Sequence, residues 1–259
     1  MLKYLKASHL GPTLLVTSLA FFLAHPLFTL ANSFVIALTI FSGQLIVGWT
    51  NELVDVESDK AQGRLEKPLV TGELKESSLL RSLWIDLPIC VGLSLLGPLG
   101  IRGGLLHLFG VGCGVSYNFY FKRTLFSLLP YTFAFAALPS AAFVAREMAP
   151  PLWMVVVGAG FGTIAHFANV LKDLDADREL GINGLPQRIG MKYSVSICVL
   201  ILIAITPIVA THRPHYGAWA YAALLASLIA LIVKPRKLGF AAIMALALVD
   251  VLLTVVAHN

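Results

Sequence analysis

Long apolar segments, separated by short polar stretches, make up most of this sequence. A helix needs about 20 mainly apolar residues to cross a lipid bilayer. Nine segments approach this pattern, near residues 12–32, 33–50, 82–98, 102–120, 126–145, 152–171, 194–211, 216–233 and 238–257. The pattern therefore predicts an all-α, polytopic membrane protein with a bundle of about nine transmembrane helices.

The overall composition agrees with a lipid environment. Of the 259 residues, 58% are hydrophobic and 13% are charged. Soluble domains carry about 45–50% apolar and about 25% charged residues, so a soluble fold would leave much apolar surface in water. No polar linker or low-complexity run interrupts the chain. We therefore predict a single domain over residues 1–259, with two motif-bearing halves at about 1–125 and 126–259.

The basic residues predict the orientation in the membrane. With nine spans, most of the 19 Lys and Arg residues lie in the N-terminal segment and in the even-numbered connections. Cytoplasmic loops carry such an excess, which places the N-terminus in the cytoplasm of a multi-pass protein, in a bacterial or archaeal plasma membrane. The net charge of +5 is then a topology signal. It does not indicate nucleic-acid binding, and no feature requires an obligate protein partner.

An acidic motif with the pattern Asn-x3-Asp-x3-Asp occurs twice, at Asn51–Asp59 and at Asn169–Asp177. Each copy begins where a predicted span reaches the cytoplasmic side. A spacing of four residues places each set on one helical stripe, with neighbours about 6 Å apart. A single copy could be a chance arrangement of solvated loop charges, but two copies at matching positions argue against that alternative.

Carboxylates four residues apart on a helix repel each other, and a hard divalent cation removes that repulsion. Magnesium takes one or two carboxylates and completes its shell with water and phosphate oxygens. We predict that the two stripes face one another, bind Mg²⁺ and clamp a diphosphate. The predicted metal ligands, which are also assigned a catalytic role, are Asp55, Asp59, Asp173 and Asp177.

Basic side chains near the two motifs suit the binding of an anion. Guanidinium groups bind phosphate bidentately, and lysine supplies a point charge. The predicted diphosphate-binding residues are Arg64, Lys122, Arg123, Lys172, Arg178 and Arg188, and Lys67 lies beside them in the sequence.

The motifs and their flanks resemble the UbiA superfamily of intramembrane prenyltransferases. The resemblance rests on the two acidic motifs, on the segments Arg64–Gly72 and Gly181–Gly190 that follow them, and on Ser116–Arg123 between them. It implies a nine-span helical bundle around a central cavity that opens to the bilayer, a prenyl diphosphate donor and Mg²⁺. Two positions depart from the family pattern: Glu52 stands where Asp is common, and Gly184 where Thr is common.

The resemblance also implies roles for individual residues. Asn51 and Asn169 are expected to orient the metals or to donate to phosphate oxygens. Aromatic faces stabilise cations, so Tyr117, Tyr120 and Phe121 are candidates to shelter an allylic carbocation. Each of them is equally consistent with an ordinary interfacial aromatic residue. The expected activity is Mg²⁺-dependent transfer of an isoprenoid chain from a prenyl diphosphate to a small-molecule or lipid acceptor, with an aromatic or quinone precursor favoured.

Two other functions remain open at this point. A terpene cyclase on the same scaffold would use the same ionisation, and a transporter would also use intramembrane acids, although near the bilayer midplane. Four further residues have undecided roles. Asp86 and Asp250 lie in predicted spans, His166 is either a buried core histidine or an acceptor contact, and His9 is a candidate contact of the acceptor pocket.

Overall fold

A computed structural model of the chain describes residues 2–212 and 217–233, and every regular element in these ranges is helical. A short 3-10 helix lies at Phe121–Arg123. The α-helices are α1 (Leu2–Ala7), α2 (Leu10–Ala24), α3 (Leu30–Ala61), α4 (Glu76–Leu96), α5 (Gly100–Phe119), α6 (Leu129–Ala145), α7 (Leu152–Leu171), α8 (Leu174–Glu179), α9 (Leu185–His212) and α10 (Gly217–Val233).

The all-α prediction is confirmed. In the part of the chain that the structure describes, four helices are long and apolar enough to cross a membrane: α3, α4, α7 and α9. Helices α2, α6 and α10 are apolar but shorter. The predicted ninth span at 238–257 lies outside the described residues, as does Asp250. The count of nine spans and the central cavity stay predictions.

The predicted boundary between the first two spans, at residues 32 and 33, is wrong. Helix α2 ends at Ala24, and α3 begins at Leu30 after the N-cap Thr29, whose Oγ1 accepts a hydrogen bond of 3.3 Å from the Asn32 backbone N–H. Apolar residues continue through the intervening turn, so hydrophobicity alone does not mark it. The hydroxyl cap and Pro26 are the local features that separate the two helices.

Helix α3 places the first acidic motif beyond the membrane-spanning part. The helix has 32 residues. At 1.5 Å per residue it is about 48 Å long, whereas the hydrocarbon core of a bilayer is about 30 Å thick. The stretch from Leu30 to Thr50 already reaches about 30 Å. The polar segment from Asn51 to Ala61 therefore extends past the span, into the interfacial region.

The first of two compact units comprises Met1–Tyr120 and Ala141–Met148. Here α1 is fastened to α3: the Trp49 indole N–H donates to the Tyr4 carbonyl oxygen at 2.9 Å. A Cβ at Gly48 would lie 2.5 Å from the Ser8 carbonyl oxygen, so the close approach of the two backbones depends on glycine. This packing holds the turn that follows α1 against the last spanning residues of α3.

The second unit comprises Phe121–Ser140 and Ala149–Asn259. Its core is formed by α7 and α9, where Ile164 and Phe167 pack with Cys198 and Leu202. Helix α9 is kinked at Gly190, whose φ of 82° is a left-handed conformation that glycine adopts without strain. The predicted span at 194–211 is the part of α9 that follows this kink. The prediction of one domain over the whole chain stays a prediction.

Candidate active site

The first acidic motif forms the helical stripe that the spacing predicts, because Asn51, Asp55 and Asp59 all lie on α3. The Asn51 amide donates from Nδ2 to Asp55 Oδ2 at 2.9 Å. Asp55 is half-buried, whereas Asp59 is only 4% exposed. The helix therefore orders the three residues of the stripe, and the Asn51 amide, one turn earlier, holds the Asp55 carboxylate.

Two cations of the following loop neutralise Asp59. The Arg64 Nε lies 3.4 Å from Asp59 Oδ1, and the Lys67 Nζ lies 3.6 Å from Asp59 Oδ2. Magnesium at Asp59 would compete with these two cations for the carboxylate oxygens. Arg64 therefore lies beside the first stripe, as the sequence predicts, and its guanidinium group faces the Asp59 carboxylate.

Glu52 lies beside the stripe and has a partner of its own. It is 1% exposed, and Lys67 Nζ donates to its Oε2 at 2.7 Å. Burial raises the pKa of the Glu52 carboxyl above its ordinary value, and the charge of Lys67 acts in the opposite direction. Burial likewise raises the pKa of Asp59, against Lys67 and Arg64. Lys67 thus serves two buried carboxylates at once.

His9 and Asn118 both contact the Asn51 side chain of the first stripe, and the sequence predicted neither contact. His9 Nε2 lies 2.8 Å from Asn51 Oδ1, and Asn51 Nδ2 lies 3.3 Å from Asn118 Oδ1. Asn118 is in turn fixed by donating to the Val47 carbonyl and to Thr50 Oγ1. Asn118 lies within the segment Ser116–Arg123 that carries the family resemblance, but no local signal identified His9 as its counterpart on the other side of Asn51.

The predicted aromatic and basic residues at the end of α5 differ in exposure. Tyr117 is half-buried, whereas Tyr120 is 67% exposed, which favours the interfacial alternative for Tyr120. Lys122 is buried in the 3-10 helix, and Arg123 is exposed. Tyr117 and Tyr120 belong to the first unit, and Lys122 and Arg123 to the second.

The second acidic motif is not one helical stripe, and that expectation is wrong. Helix α7 ends at Leu171, and Asp173 has φ −112° and ψ 8° before α8 begins at Leu174. The Asp173 N–H bonds to the Val170 carbonyl, three residues back, which tightens the chain out of the α-helical geometry. Aspartates favour caps and turns over helix interiors, so a segment with three of them breaks readily. Asn169 and Asp177 therefore lie on different helices.

Asp177 is held by a residue that sequence reasoning missed. Gln187 donates from Nε2 to Asp177 Oδ2 at 2.9 Å, and it is 4% exposed. Arg178 donates from Nε to the Gln187 carbonyl at 2.6 Å, and Arg188 donates from Nε to the Asn183 carbonyl at 2.8 Å. Backbone carbonyl groups therefore orient the two predicted phosphate-binding arginines near the second motif, while Lys172 is exposed.

His166 lies in the core of the second unit. It is 1% exposed, and its Nε2 is 3.1 Å from the Ser127 hydroxyl, which also accepts a hydrogen bond from the Leu185 backbone N–H. This environment favours the interpretation as a buried core histidine. Asn169 makes a side-chain hydrogen bond with Tyr131, so the first residue of the second motif also has a fixed partner.

Asp86 lies away from the first stripe. Ser42 on α3 donates from its hydroxyl to Asp86 Oδ1 at 3.0 Å. Ser42 precedes Asn51 by nine residues, which corresponds to about 13 Å along the helix axis. Asp86 therefore belongs to a polar contact between α3 and α4, deeper in the membrane-spanning part.

The donor chemistry of the motifs fits magnesium. No group of three or more His, Cys, Asp or Glu side chains within 2–212 and 217–233 is arranged to hold a metal ion by itself. Each motif instead offers two carboxylates, and magnesium takes one or two carboxylates together with water and substrate phosphate oxygens. The residues suit an ion that arrives with a phosphorylated substrate.

Sequence comparison decides the family. The profile of the UbiA prenyltransferase family matches residues 11–250. The chain belongs to this family. No curated protein sequence matches the chain significantly.

Solved structures of UbiA proteins have the same fold. A UbiA homologue from Archaeoglobus fulgidus bound to DMAPP and Mg²⁺ has a TM-score of 0.74 at 14% identity, over 98% of this chain and 99% of that one. The apo UbiA homologue from Aeropyrum pernix K1 has a TM-score of 0.76 at 17% identity, over 96% and 98%. A digeranylgeranylglyceryl phosphate synthase has a TM-score of 0.67 at 13% identity, over 99% and 96%.

The structure accounts for the two departures from the UbiA pattern. Glu52 is the acidic half of a buried pair with Lys67. At position 184 a side chain has no space, because a Cβ there would lie 2.6 Å from the Lys122 carbonyl oxygen and 2.8 Å from Gln187 Oε1. Glycine at this position lets the segment before α9 approach the 3-10 helix. Both departures are thus matched to their local surroundings.

Proposed function

We propose that this UbiA-family protein is a Mg²⁺-dependent intramembrane prenyltransferase, which transfers an isoprenoid chain from a prenyl diphosphate to an acceptor and releases diphosphate. The observation that carries the proposal is the carboxylate stripe of α3. Asp55 and Asp59 lie where the helix leaves its membrane-spanning part, and Arg64 and Lys67 lie beside them. An apolar chain with an anionic head group needs this combination of surroundings.

Structures of the Archaeoglobus fulgidus homologue contain Mg²⁺ with DMAPP or GPP. On the present chain, each motif would hold Mg²⁺ through its own aspartates, which are Asp55 and Asp59 in the first motif and Asp173 and Asp177 in the second. Bound Mg²⁺ stabilises the negative charge that develops on the leaving diphosphate. Asn51 and Gln187 have a supporting role, since each donates a hydrogen bond to a carboxylate of its own motif.

The cations near the motifs complete the neutralisation of the diphosphate. A metal ion at Asp59 would displace Arg64 and Lys67 from this carboxylate, and both cations would then be available to bind phosphate oxygens. The allylic C–O bond then breaks, and its electron pair leaves with the diphosphate. The allylic carbon becomes cationic, the acceptor nucleophile forms the new bond to it, and the acceptor loses a proton. Water must be excluded during this step, since it would otherwise capture the cation.

For the acceptor we propose an aromatic ring of the quinone-precursor type. The protein is proposed to lie in a bacterial or archaeal plasma membrane, with its N-terminus and both motifs at the cytoplasmic side. The excess of Lys and Arg in the corresponding segments supports that orientation. A digeranylgeranylglyceryl phosphate synthase has a similar fold. A glycerol phosphate lipid is therefore tested as the alternative acceptor.

The test is a transfer assay with the purified protein in lipid nanodiscs. Prenyl diphosphates from dimethylallyl to geranylgeranyl are each combined with aromatic acids, quinone precursors and glycerol phosphate lipids, with and without Mg²⁺. We expect diphosphate release that requires both Mg²⁺ and an acceptor, with a product whose mass is that of the prenylated acceptor. A cyclic hydrocarbon or alcohol formed without acceptor would instead indicate a cyclase. Failure to consume any prenyl diphosphate would contradict both the transferase and the cyclase activity.

A further inference from the structure

His9 has a backbone conformation that is uncommon for a residue with a side chain. It lies between α1 and α2 with φ 57° and ψ 62°, in the left-handed region. A residue other than glycine keeps such a conformation only where the surrounding structure imposes it, and such residues cluster at functional sites. The His9 imidazole reaches the first acidic motif, where its Nε2 lies 2.8 Å from Asn51 Oδ1.

The surroundings of Asn51 determine which way its amide points. Its Nδ2 lies 2.9 Å from Asp55 Oδ2 and 3.3 Å from Asn118 Oδ1. The Asn118 amide is itself oriented, because its nitrogen donates to the Val47 carbonyl at 2.9 Å. Turning the Asn51 amide round would place its oxygen against a carboxylate and a carbonyl. The Asn51 oxygen must therefore face His9 and accept a hydrogen bond from it.

This orientation assigns the proton on His9. Nε2 carries a hydrogen and donates it to Asn51 Oδ1. Lys67 Nζ lies 3.3 Å from the same nitrogen, but a nitrogen that donates has no lone pair left for Lys67. The Lys67 ammonium instead donates to Glu52 Oε2 at 2.7 Å. His9 and Lys67 thus act on different members of the first motif.

We propose that His9 is a positioning residue for the metal-binding carboxylate Asp55. It acts through Asn51: the imidazole holds the amide oxygen, and the amide nitrogen consequently points at Asp55. Residues that orient a metal ligand in this way change metal affinity or activity by about 10–100-fold when they are replaced. The proposal rests on the proposed function, in that it takes Asp55 to be a magnesium ligand.

Two substitutions separate the reach of the side chain from the strain of the backbone. His9→Asn keeps a residue that tolerates the left-handed conformation, but its amide nitrogen corresponds to Nδ1 and falls short of Asn51. His9→Gln carries an amide N–H at about the distance of Nε2. The matched control is Glu147→Asn, at another non-glycine residue with positive φ, where the exposed side chain pairs with Arg102.

Three measurements are made on each protein in nanodiscs: the Mg²⁺ concentration for half-maximal transfer, Mn²⁺ binding in the presence of inorganic pyrophosphate by electron paramagnetic resonance, and thermal unfolding. We expect His9→Asn to raise the half-maximal Mg²⁺ concentration and to weaken Mn²⁺ binding about tenfold, at unchanged unfolding temperature. His9→Gln should recover most of this loss. Glu147→Asn should match the wild-type protein in all three measurements.

A His9→Asn protein with wild-type Mn²⁺ binding overturns the proposal, and so does a His9→Gln protein as impaired as His9→Asn. A loss of metal binding that follows a lower unfolding temperature also overturns it, because the role of His9 is then structural. If the wild-type protein binds Mn²⁺ but transfers no prenyl group, the proposed function fails, and the binding data still decide the role of His9. Absence of Mn²⁺ binding by the wild-type protein overturns both.

Discussion

Gln187 Nε2 donates a hydrogen bond of 2.9 Å to Asp177 Oδ2, and this contact joins the start of α9 to the second acidic motif. Arg178 Nε donates at 2.6 Å to the backbone carbonyl of the same glutamine, so Gln187 is held through both its side chain and its backbone. The motif is broken between α7 and α8, and Asp177 therefore depends on a neighbouring segment for its orientation. The aspartates of the first motif, in contrast, are oriented by the continuous helix α3.

Replacing Gln187 should impair catalysis more than stability. In Gln187→Leu, Asp177 loses the hydrogen bond from Nε2 and is oriented less strictly, so we expect the rate of prenyl transfer at saturating Mg²⁺ to fall about 10–100-fold. The rate is compared with the unfolding temperature of the same sample. Ser196→Ala, farther along α9, removes only a hydrogen bond to the Lys192 carbonyl and serves as control. Transfer at the wild-type rate in Gln187→Leu would show that Asp177 needs no such brace.

Removing one carboxylate of either motif should abolish transfer without unfolding the protein. We expect Asp55→Ala and Asp173→Ala each to lower the transfer rate by at least about 100-fold, since the metal that stabilises the leaving group loses a ligand. Circular dichroism and size-exclusion chromatography check that the fold is kept. The control is Glu57→Gln on α3, an exposed carboxylate paired with Lys60. Near-normal transfer in either aspartate variant would contradict the metal assignment.

A side chain at position 184 should destabilise the second unit. A Cβ there would lie 2.6 Å from the Lys122 carbonyl oxygen, so Gly184→Thr forces the segment before α9 away from the 3-10 helix. Overpacking of this kind costs about 1–3 kcal/mol, and we expect a lower unfolding temperature. Gly112→Ala on α5, where nothing lies within 4 Å of the added Cβ, should leave the temperature unchanged or raise it. Equal stability of the two variants would contradict the close packing around Gly184.

The stability of the protein should depend on pH through two buried carboxyls of the first motif region. Burial raises the pKa of Glu52 from 4.5 and that of Asp59 from 3.8. The folded state then binds more protons than the unfolded state between these ordinary values and the raised ones. The contribution of these two groups to the free energy of unfolding therefore decreases as the pH rises through that window, and this contribution is constant on either side.

Thermal unfolding in detergent between about pH 4 and about pH 8 measures this dependence. Glu52→Gln removes one titrating group, so we expect the decrease to become smaller in that variant. Glu57→Gln, in the exposed part of the same helix, is the control and should keep the wild-type profile. A Glu52→Gln profile identical to that of the wild-type protein would show that Glu52 does not contribute to the slope.

The sequence by itself determined three features: the all-helical class, the position at which the first polar motif begins, and the family. These features are local: apolar length predicts a span, and a spacing of four residues predicts a stripe. The same local reasoning placed the first interhelical turn too late and expected a continuous helix through Asp173. Both errors arise where short-range hydrogen bonds, at Thr29 and at Asp173, override the apolar pattern.

Only the tertiary structure decided which side chains hold the carboxylates. His9 is separated from Asn51 by 42 positions, and Asn118 from Asn51 by 67. Whether such residues meet depends on how helices pack, and helix packing depends on the shapes of whole faces. Gly48 is one example, because it lets the turn after α1 approach α3. A spacing rule describes neighbours on one helix and contains no information about the partner that a second helix brings.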